Sequence, residues 1–177
     1  MASAVFKYIV FKNMELKGFF MRVGHGYDVH RLKKGRKCIL CGVHIPCDFG
    51  PDGHSDADVA VHALIDAILG ALALGDIGKI FPDTDKMWKE ANSIELLQIV
   101  YGMAREQGYI ISNADITIVL ESPRVAPYIT QMREVISRAL DTDAGNISVK
   151  ATTEENLELI GDNGFIKSFA IILLNVC

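Results

Sequence analysis

Apolar residues recur along this chain in two rhythms, and the places where the rhythm changes mark its elements. Residues 20–27 are compatible with a strand, and "KCILCGVHIPC" predicts two short strands turning at Gly42. "GPDGHSDAD" is a loop, with Ser55 or Asp56 placed to cap the helix predicted over 56–74. "LGDIGKIFPDTD" is a second loop, broken by two glycines and a proline. Ile94, Leu97, Val100 or Tyr101, and Ala104 keep helical spacing and predict a helix over 92–107. "ADITIVLES" is a strand ended by Pro123, and 125–140 is a further amphipathic helix. "NISVKATT" and "FIKSFAIILLNV" are the last strands, joined by the polar loop "EENLELIGDNG". The order β-β-β-α-α-β-α-β-β predicts an α/β fold: one domain, a sandwich of a mixed β-sheet with helices packed on one face.

One helix breaks its own pattern. "VAVHALIDAILGALAL" is apolar almost all the way round, so most of its surface is buried. Asp58, His62 and Asp66 interrupt it at intervals of four and therefore share one face. A buried carboxylate without a partner is costly, so this stripe faces water, a cation or a polar site; a plain solvent face remains an equal alternative. Upstream, "RVGHGYDVHRL" places Asp28 and His30 two apart on an extended segment, on the same side of the strand. Asp28, His30 and His62 then make a three-ligand set of the kind catalytic zinc sites use, with a fourth position open. His54 and Ser55 precede the helix, whose N-terminal N–H groups suit phosphate.

Composition narrows the partners. With 18 basic against 22 acidic residues the net charge is −4, so no basic field favours nucleic acid. Half the 177 residues are hydrophobic, enough for a core. No apolar run reaches a membrane span, because His62 and Asp66 interrupt the longest candidate. Four cysteines suggest free thiols in a reducing compartment and a cytoplasmic protein. The first 20 residues lack the apolar run and small-residue site of a signal peptide.

"GHGYDVHRL", "HSDADVAVHALIDAILGALALGDIGKIFPDTD" and "VKATT" together closely resemble the 2-C-methyl-D-erythritol 2,4-cyclodiphosphate synthases. The resemblance covers residues 21–177 and leaves 1–20 as an N-terminal extension outside the catalytic fold. It implies a homotrimer with active sites between subunits. It also implies a lyase of the non-mevalonate isoprenoid route, which cyclises 4-diphosphocytidyl-2-C-methyl-D-erythritol 2-phosphate and releases CMP. One Zn2+ per subunit and a second ion, Mg2+ or Mn2+, are the implied cofactors.

Carried onto this chain, the resemblance makes Asp28, His30 and His62 the zinc ligands and Glu155 the ligand of the second metal. His54 and Ser55, with Val29 beside the metal pair, lie against the diphosphate. His54 and Thr153 stabilise the transition state. Asp76, Ile77 and Gly78 match the erythritol segment, and Phe81, Pro82, Asp83, Thr84 and Asp85 the loop that closes over it. Leu120, Glu121, Ser122, Pro123, Arg124, Val125 and Ala126 take the place of the cytidine segment, Arg124 standing for the usual Lys. Thr152, Thr153, Glu154 and Glu155 stand where three threonines and a Glu are common, so either glutamate can reach the metal. Leu159 and Asp162 replace a Phe and an Arg, and Asp162 does not suit an isoprenoid diphosphate in a trimer cavity.

Other readings compete with these. Cys38, Cys41, His44 and Cys47 recur every three residues like a zinc knuckle, although a β-hairpin with buried thiols is favoured. His25 is expected to be buried and bonded to backbone rather than a ligand. Trp88 lies in a polar stretch that predicts nothing. A metal-stabilised isoprenoid-binding module and a metal-dependent hydrolase are the functional rivals.

Overall fold

A computed structural model describes residues 21–155 and 164–177. The 1–20 extension and the loop positions Leu159 and Asp162 lie outside the described residues. Among the described residues there are seven strands and four α-helices: β1 (Arg22–Lys34), β2 (Cys38–Leu40), β3 (Val43–Ile45), β4 (Phe49–Pro51), α1 (Val59–Ala71), α2 (Ile77–Ile80), α3 (Ser93–Glu106), β5 (Tyr109–Val119), α4 (Ile129–Ala139), β6 (Ile147–Thr152) and β7 (Phe165–Val176). Five strands form one sheet in the order β4-β1-β7-β5-β6, and β2 and β3 form a separate hairpin. Only β5 and β6 run parallel; β1 and β7 pair antiparallel with Asp28 opposite Ser168. The sheet is mixed, as the element order predicts.

Alternation decides which face is covered. Gly24 and Gly26 of β1, with Ile166, Ser168, Ala170, Ile172 and Leu174 of β7, are buried beneath the helices. Their neighbours Val23, Tyr27, Val29, Phe169 and Ile171 are exposed on the opposite face. Helix α1 is the centre of the core: Leu64, Ile65, Ile68 and Leu69 are fully buried, each stabilising the fold by about 1.5–3 kcal/mol.

The two glycines of "GHG" set the distance between β1 and α1. A Cβ at Gly24 would lie 1.8 Å from the Ala67 carbonyl oxygen, and one at Gly26 1.9 Å from that of Ala63. Only glycine permits that approach, which brings the far end of β1 against the polar positions of α1.

Several boundaries differ from the sequence reading. Helix α1 begins at Val59, not 56, because Asp58 is its N-cap and accepts from the Val61 N–H at 3.2 Å. It stops at Ala71: Ala73 turns to φ 57° and the Leu74 N–H returns to the Leu69 carbonyl, a Schellman ending that frees 72–74 from the helix. The loop assigned from Gly50 onward starts as strand β4, whose Pro51 sits at the sheet edge, where a missing N–H is tolerated. Helix α4 begins at Ile129, after a 3₁₀ turn over Ala126–Tyr128 that contains Pro127. His25 is not buried but exposed, its ring 6.4 Å from that of Phe169. Its parity with Tyr27 and Val29 puts it on the open face.

Candidate metal centre and cavity

Three donors from distant parts of the chain converge where β1 meets α1. Asp28 Oδ2 lies 3.0 Å from His30 Nε2 and 3.0 Å from His62 Nδ1, and the two nitrogens are 3.4 Å apart. The strand puts Asp28 and His30 on one side, as predicted, and the helix presents His62 to them.

Hydrogen bonds fix where the protons are. His30 Nδ1 faces the Asp52 carbonyl at 2.8 Å, and a carbonyl can only accept, so Nδ1 carries a hydrogen, which in the neutral ring leaves Nε2 the lone pair. His62 Nε2 faces Ser93 Oγ at 2.9 Å and Ser55 Oγ at 3.2 Å. Ser93 Oγ donates to the Asp56 carboxylate, so it accepts from His62 Nε2–H and leaves Nδ1 a lone pair. With both imidazoles neutral, each turns a lone pair to the Asp28 carboxylate, so the three donors need a shared proton or a cation between them. Zn–N bonds of about 2.0–2.1 Å place tetrahedral ligand atoms about 3.3 Å apart, which the observed separations match. The donor set fits a zinc-like cation.

The electrostatics agree. Burial alone would raise the Asp28 carboxyl, yet hydrogen bonds from His30 and His62 and their charge hold it well below the usual carboxylate range. Burial pulls the His30 imidazole down, but the Asp28 carboxylate outweighs it and raises His30 overall.

The stripe Asp58–His62–Asp66 is divided among three tasks. His62 faces the site. Asp58 is fully buried instead of facing it: its oxygens accept from Cys41 N at 3.0 Å, Gly42 N at 2.6 Å and Val61 N. Backbone donors rather than water or a cation compensate its charge. Burial still pushes its carboxyl up to about 6. Asp66 accepts the Ile77 N–H at 2.7 Å, tying α2 to α1, and burial raises its carboxyl as well.

A cavity of about 400 Å³ opens beside the three donors. Of the expected residues it is lined by Asp28, His30, His62, His54, Ser55, Ile77, Gly78, Phe81, Asp83 and Asp85. His54 and Ser55 sit in a loop, not at a helix N-terminus, because the first residues of α1 are buried and Asp58 caps them. Asp76 caps α2 through the Lys79 N–H, and Asp85 caps the next turn through the Met87 N–H. Pro82 and Thr84 are exposed and do not line the cavity; Val29 points to the opposite face.

Three contributors were not legible in the sequence. Trp88 lines the cavity with its ring 4.8 Å from that of Phe81. Ser93 is fully buried and links His62 to Asp56. Asp52 bonds His30 through its carbonyl, while its carboxylate pairs with Lys33 at 3.4 Å. Neither a lone Trp nor a Ser at a helix start carries a signal before the chain is folded.

A second cluster forms elsewhere. Leu120 N donates to the Thr152 carbonyl at 3.0 Å and Glu154 N to Glu121 Oε1 at 2.8 Å, so the segments 120–126 and 152–155 are joined. Lys167 holds Glu154 at 2.8 Å, whereas Glu155 is exposed and touches Thr153 Oγ1 at 2.9 Å. Of the two glutamates, Glu155 is therefore the one turned outward. None of these residues lines the cavity. Cys38, Cys41, His44 and Cys47 do not form a ligand cluster either: among the described residues only Asp28, His30 and His62 bring three donor atoms within 4.8 Å of one another. Cys38 and Cys41 are buried in the hairpin, and burial raises the Cys38 thiol to about 12, which disfavours a thiolate ligand.

The fold and site together define a mixed-sheet α/β sandwich in which a carboxylate–imidazole cluster that could hold a metal ion borders a cavity. Residues 21–175 match the YgbB family, and the chain belongs to it. It is 56% identical over 154 residues, 87% of this chain and 96% of the relative, to 2-C-methyl-D-erythritol 2,4-cyclodiphosphate synthase of Clostridioides difficile. It is 52% identical to the synthase of Vibrio vulnificus, with 87% and 98% covered. Among solved structures it resembles the bifunctional IspDF from Campylobacter jejuni, with TM-score 0.86 and 41% identity. That match covers 90% of this chain, which spans 43% of the bifunctional protein. IspF of Plasmodium falciparum in complex with CDP gives TM-score 0.77 at 34% identity, with 88% and 96% covered. No described helix is long and apolar enough to cross a membrane.

Proposed function

We propose that this chain converts 4-diphosphocytidyl-2-C-methyl-D-erythritol 2-phosphate into 2-C-methyl-D-erythritol 2,4-cyclodiphosphate and CMP, in the cytoplasm. The observation that carries the reading is the convergence of Asp28, His30 and His62 at the edge of the 400 Å³ cavity. In the reaction an oxygen of the 2-phosphate attacks the distal phosphorus of the diphosphate, a P–O bond forms, and the P–O bond to CMP breaks. No water is consumed, and the enzyme needs no nucleophile of its own.

Charge is the obstacle. The substrate is a polyanion, and the cavity wall carries Asp28, Asp52, Asp83 and Asp85 against Lys89. Such a wall repels phosphates unless cations are held in it. Asp28, His30 and His62 would hold Zn2+, and Glu155 the Mg2+ or Mn2+; bound there, the ions offset phosphate charge and stabilise the transferring group. His54 reaches the diphosphate from the exposed side of the cavity. Ile77 and Gly78 of α2, with Phe81 and Trp88 behind them, position the erythritol. Folding the substrate so that attacking and leaving oxygens are in line supplies much of the remaining acceleration.

The nucleotide half of the site comes from another copy of the chain. Leu120–Ala126 continue from the end of β5 and Thr152–Glu155 from the end of β6, so β7 lies between β1 and the first segment, and β7 and β5 between β1 and the second. Packing of copies as a homotrimer brings that cluster, with Thr153 and Glu155, to a neighbour's cavity. The exposed apolar face of Val23, Tyr27, Val29, Phe169 and Ile171 supports such packing.

³¹P NMR tests the reading. Wild type with substrate and Mg2+ should release CMP and a cyclic diphosphate, and His62→Ala should release neither. Equal activity in both would remove the metal assignment. Substrate binding by wild type without CMP release would overturn the enzyme reading.

A further inference from the structure

The segment that forms one wall of the cavity is held from behind by a single side chain. The Arg36 guanidinium donates to three backbone carbonyls: Pro51 at 3.2 Å, Gly53 at 3.1 Å and Ser55 at 3.2 Å. These alternate with two carbonyls used in other directions: Asp52 accepts from His30 Nδ1 at 2.8 Å, and His54 accepts from Glu90 N at 2.8 Å. The segment is thus fastened on both sides, Arg36 taking every second carbonyl on one of them. The backbone around Arg36 is itself brought in closely: Gly35 turns at φ 81°, and a Cβ at Gly50 would lie 2.1 Å from the Lys37 carbonyl oxygen.

We infer that Arg36 is a positioning residue for the site: its guanidinium holds the 51–55 strip so that Asp52 orients His30 and so that His54 and Ser55 face the ligand. Arg36 does not line the cavity. It acts through the strip, and a planar fork of five N–H donors suits a row of carbonyls that an ammonium cannot span. Released from Arg36, the strip loses its register, His30 loses the acceptor that fixes its tautomer, and Gly53, whose Cβ position lies 3.0 Å from His30 Cε1, no longer packs against the ring.

The inference rests on the cavity being the working site, and its test reads cation binding without substrate. Full-length wild type, Arg36→Ala and Arg36→Lys are titrated with Co2+ by visible absorption, and then assayed for CMP release. Arg36→Ala should bind Co2+ at least tenfold more weakly, the usual scale for losing a partner of a ligating histidine. Its kcat should fall more than its KM changes, and millimolar guanidinium should restore part of both Co2+ affinity and kcat. Arg36→Lys keeps the charge but not the fork, and should lose at least fivefold in Co2+ affinity while remaining folded. Wild-type Co2+ affinity in either variant overturns the inference. So does a loss that guanidinium does not restore and that only tracks a lower Tm. If wild type itself releases no CMP, the reaction reading falls, and Arg36 is still judged by Co2+ affinity alone.

Discussion

Gly26 stands so close to Ala63 that a methyl group on Gly26 would lie 1.9 Å from the Ala63 carbonyl oxygen. This contact is what lets Asp28 and His30, farther along the same strand, meet His62, one residue before Ala63 on the helix. The obstacle is backbone, which cannot rotate away. Gly26→Ala should therefore cost about 3 kcal/mol or more, the upper range for overpacking, and lower Tm by roughly 10 °C. Gly70→Ala is the control: its nearest neighbour would be the His25 carbonyl oxygen at 3.7 Å, an ordinary contact. A helix prefers alanine there by roughly 0.5–1 kcal/mol, so stability should hold or rise. Thermal unfolding of both variants decides the point; an unharmed Gly26→Ala would mean that β1 and α1 can separate.

Ser93 connects His62 to the Asp56 carboxylate. Ser93→Ala removes the acceptor that keeps the hydrogen on His62 Nε2, and should weaken Zn2+ binding about 10–100-fold. Wild type at a free Zn2+ concentration a thousandfold above Kd should gain about 4 kcal/mol of stability. At the same concentration Ser93→Ala should gain roughly 1.4–2.7 kcal/mol less. His62→Ala should gain almost nothing. Calorimetric titration with Zn2+, followed by thermal unfolding with and without it, reads both effects.

Asp58 gives the fold a pH dependence. Its folded carboxyl stands at about 6 against an ordinary 3.8, with burial the largest cause and the Asp56 charge adding to it. The folded state therefore binds the proton more tightly than the unfolded chain. The corresponding stabilisation is fully present below pH 3.8 and is lost as pH rises through 6, about 3 kcal/mol in all. Asp58→Asn does not titrate, so wild type should lose about that much relative to the variant between pH 4 and pH 7. Denaturant unfolding across that interval measures the difference. A constant gap would show that the three backbone N–H donors hold the carboxylate ionised throughout.

Trp88 is the chain's single tryptophan and lines the cavity against Phe81. Binding of the erythritol phosphate portion should shift or quench its emission, with saturation at the same concentration as the activity. Phe81→Leu should blunt the signal and raise KM while leaving Zn2+ affinity within about twofold. A fluorescence titration against substrate or cyclic product would expose an error, since an unchanged spectrum at saturation places the ligand elsewhere.

The candidate site was legible to different depths. Asp28 and His30 could be paired from strand parity alone, and His62 from its place on an otherwise apolar helix. Asp58, at the same four-residue spacing, looked equivalent to His62 and turned out to be a buried cap. Spacing along a helix cannot show that the hairpin turn at Cys41 and Gly42 supplies N–H donors to one position and not to the next. His25 erred in the opposite direction. It was expected to be buried and bonded to backbone, but Gly24 and Gly26 mark the buried parity, and His25 has the other.

By itself the sequence determined what local chemistry dictates: the strand and helix periods, the mixed α/β order, the ligand residue types, and the family through its long shared block. The tertiary structure alone decided which polar groups share a site. Ser93 reaching His62 and Arg36 reaching the 51–55 carbonyls join separate segments of the chain, Trp88 turns back onto Phe81 within one loop, and Glu155 stays clear of the cavity that His62 lines. The meeting of Asp28 and His30 with His62 is set by how closely β1 can lie on α1, and a packing distance of that kind is a property of two surfaces that no single stretch of residues contains.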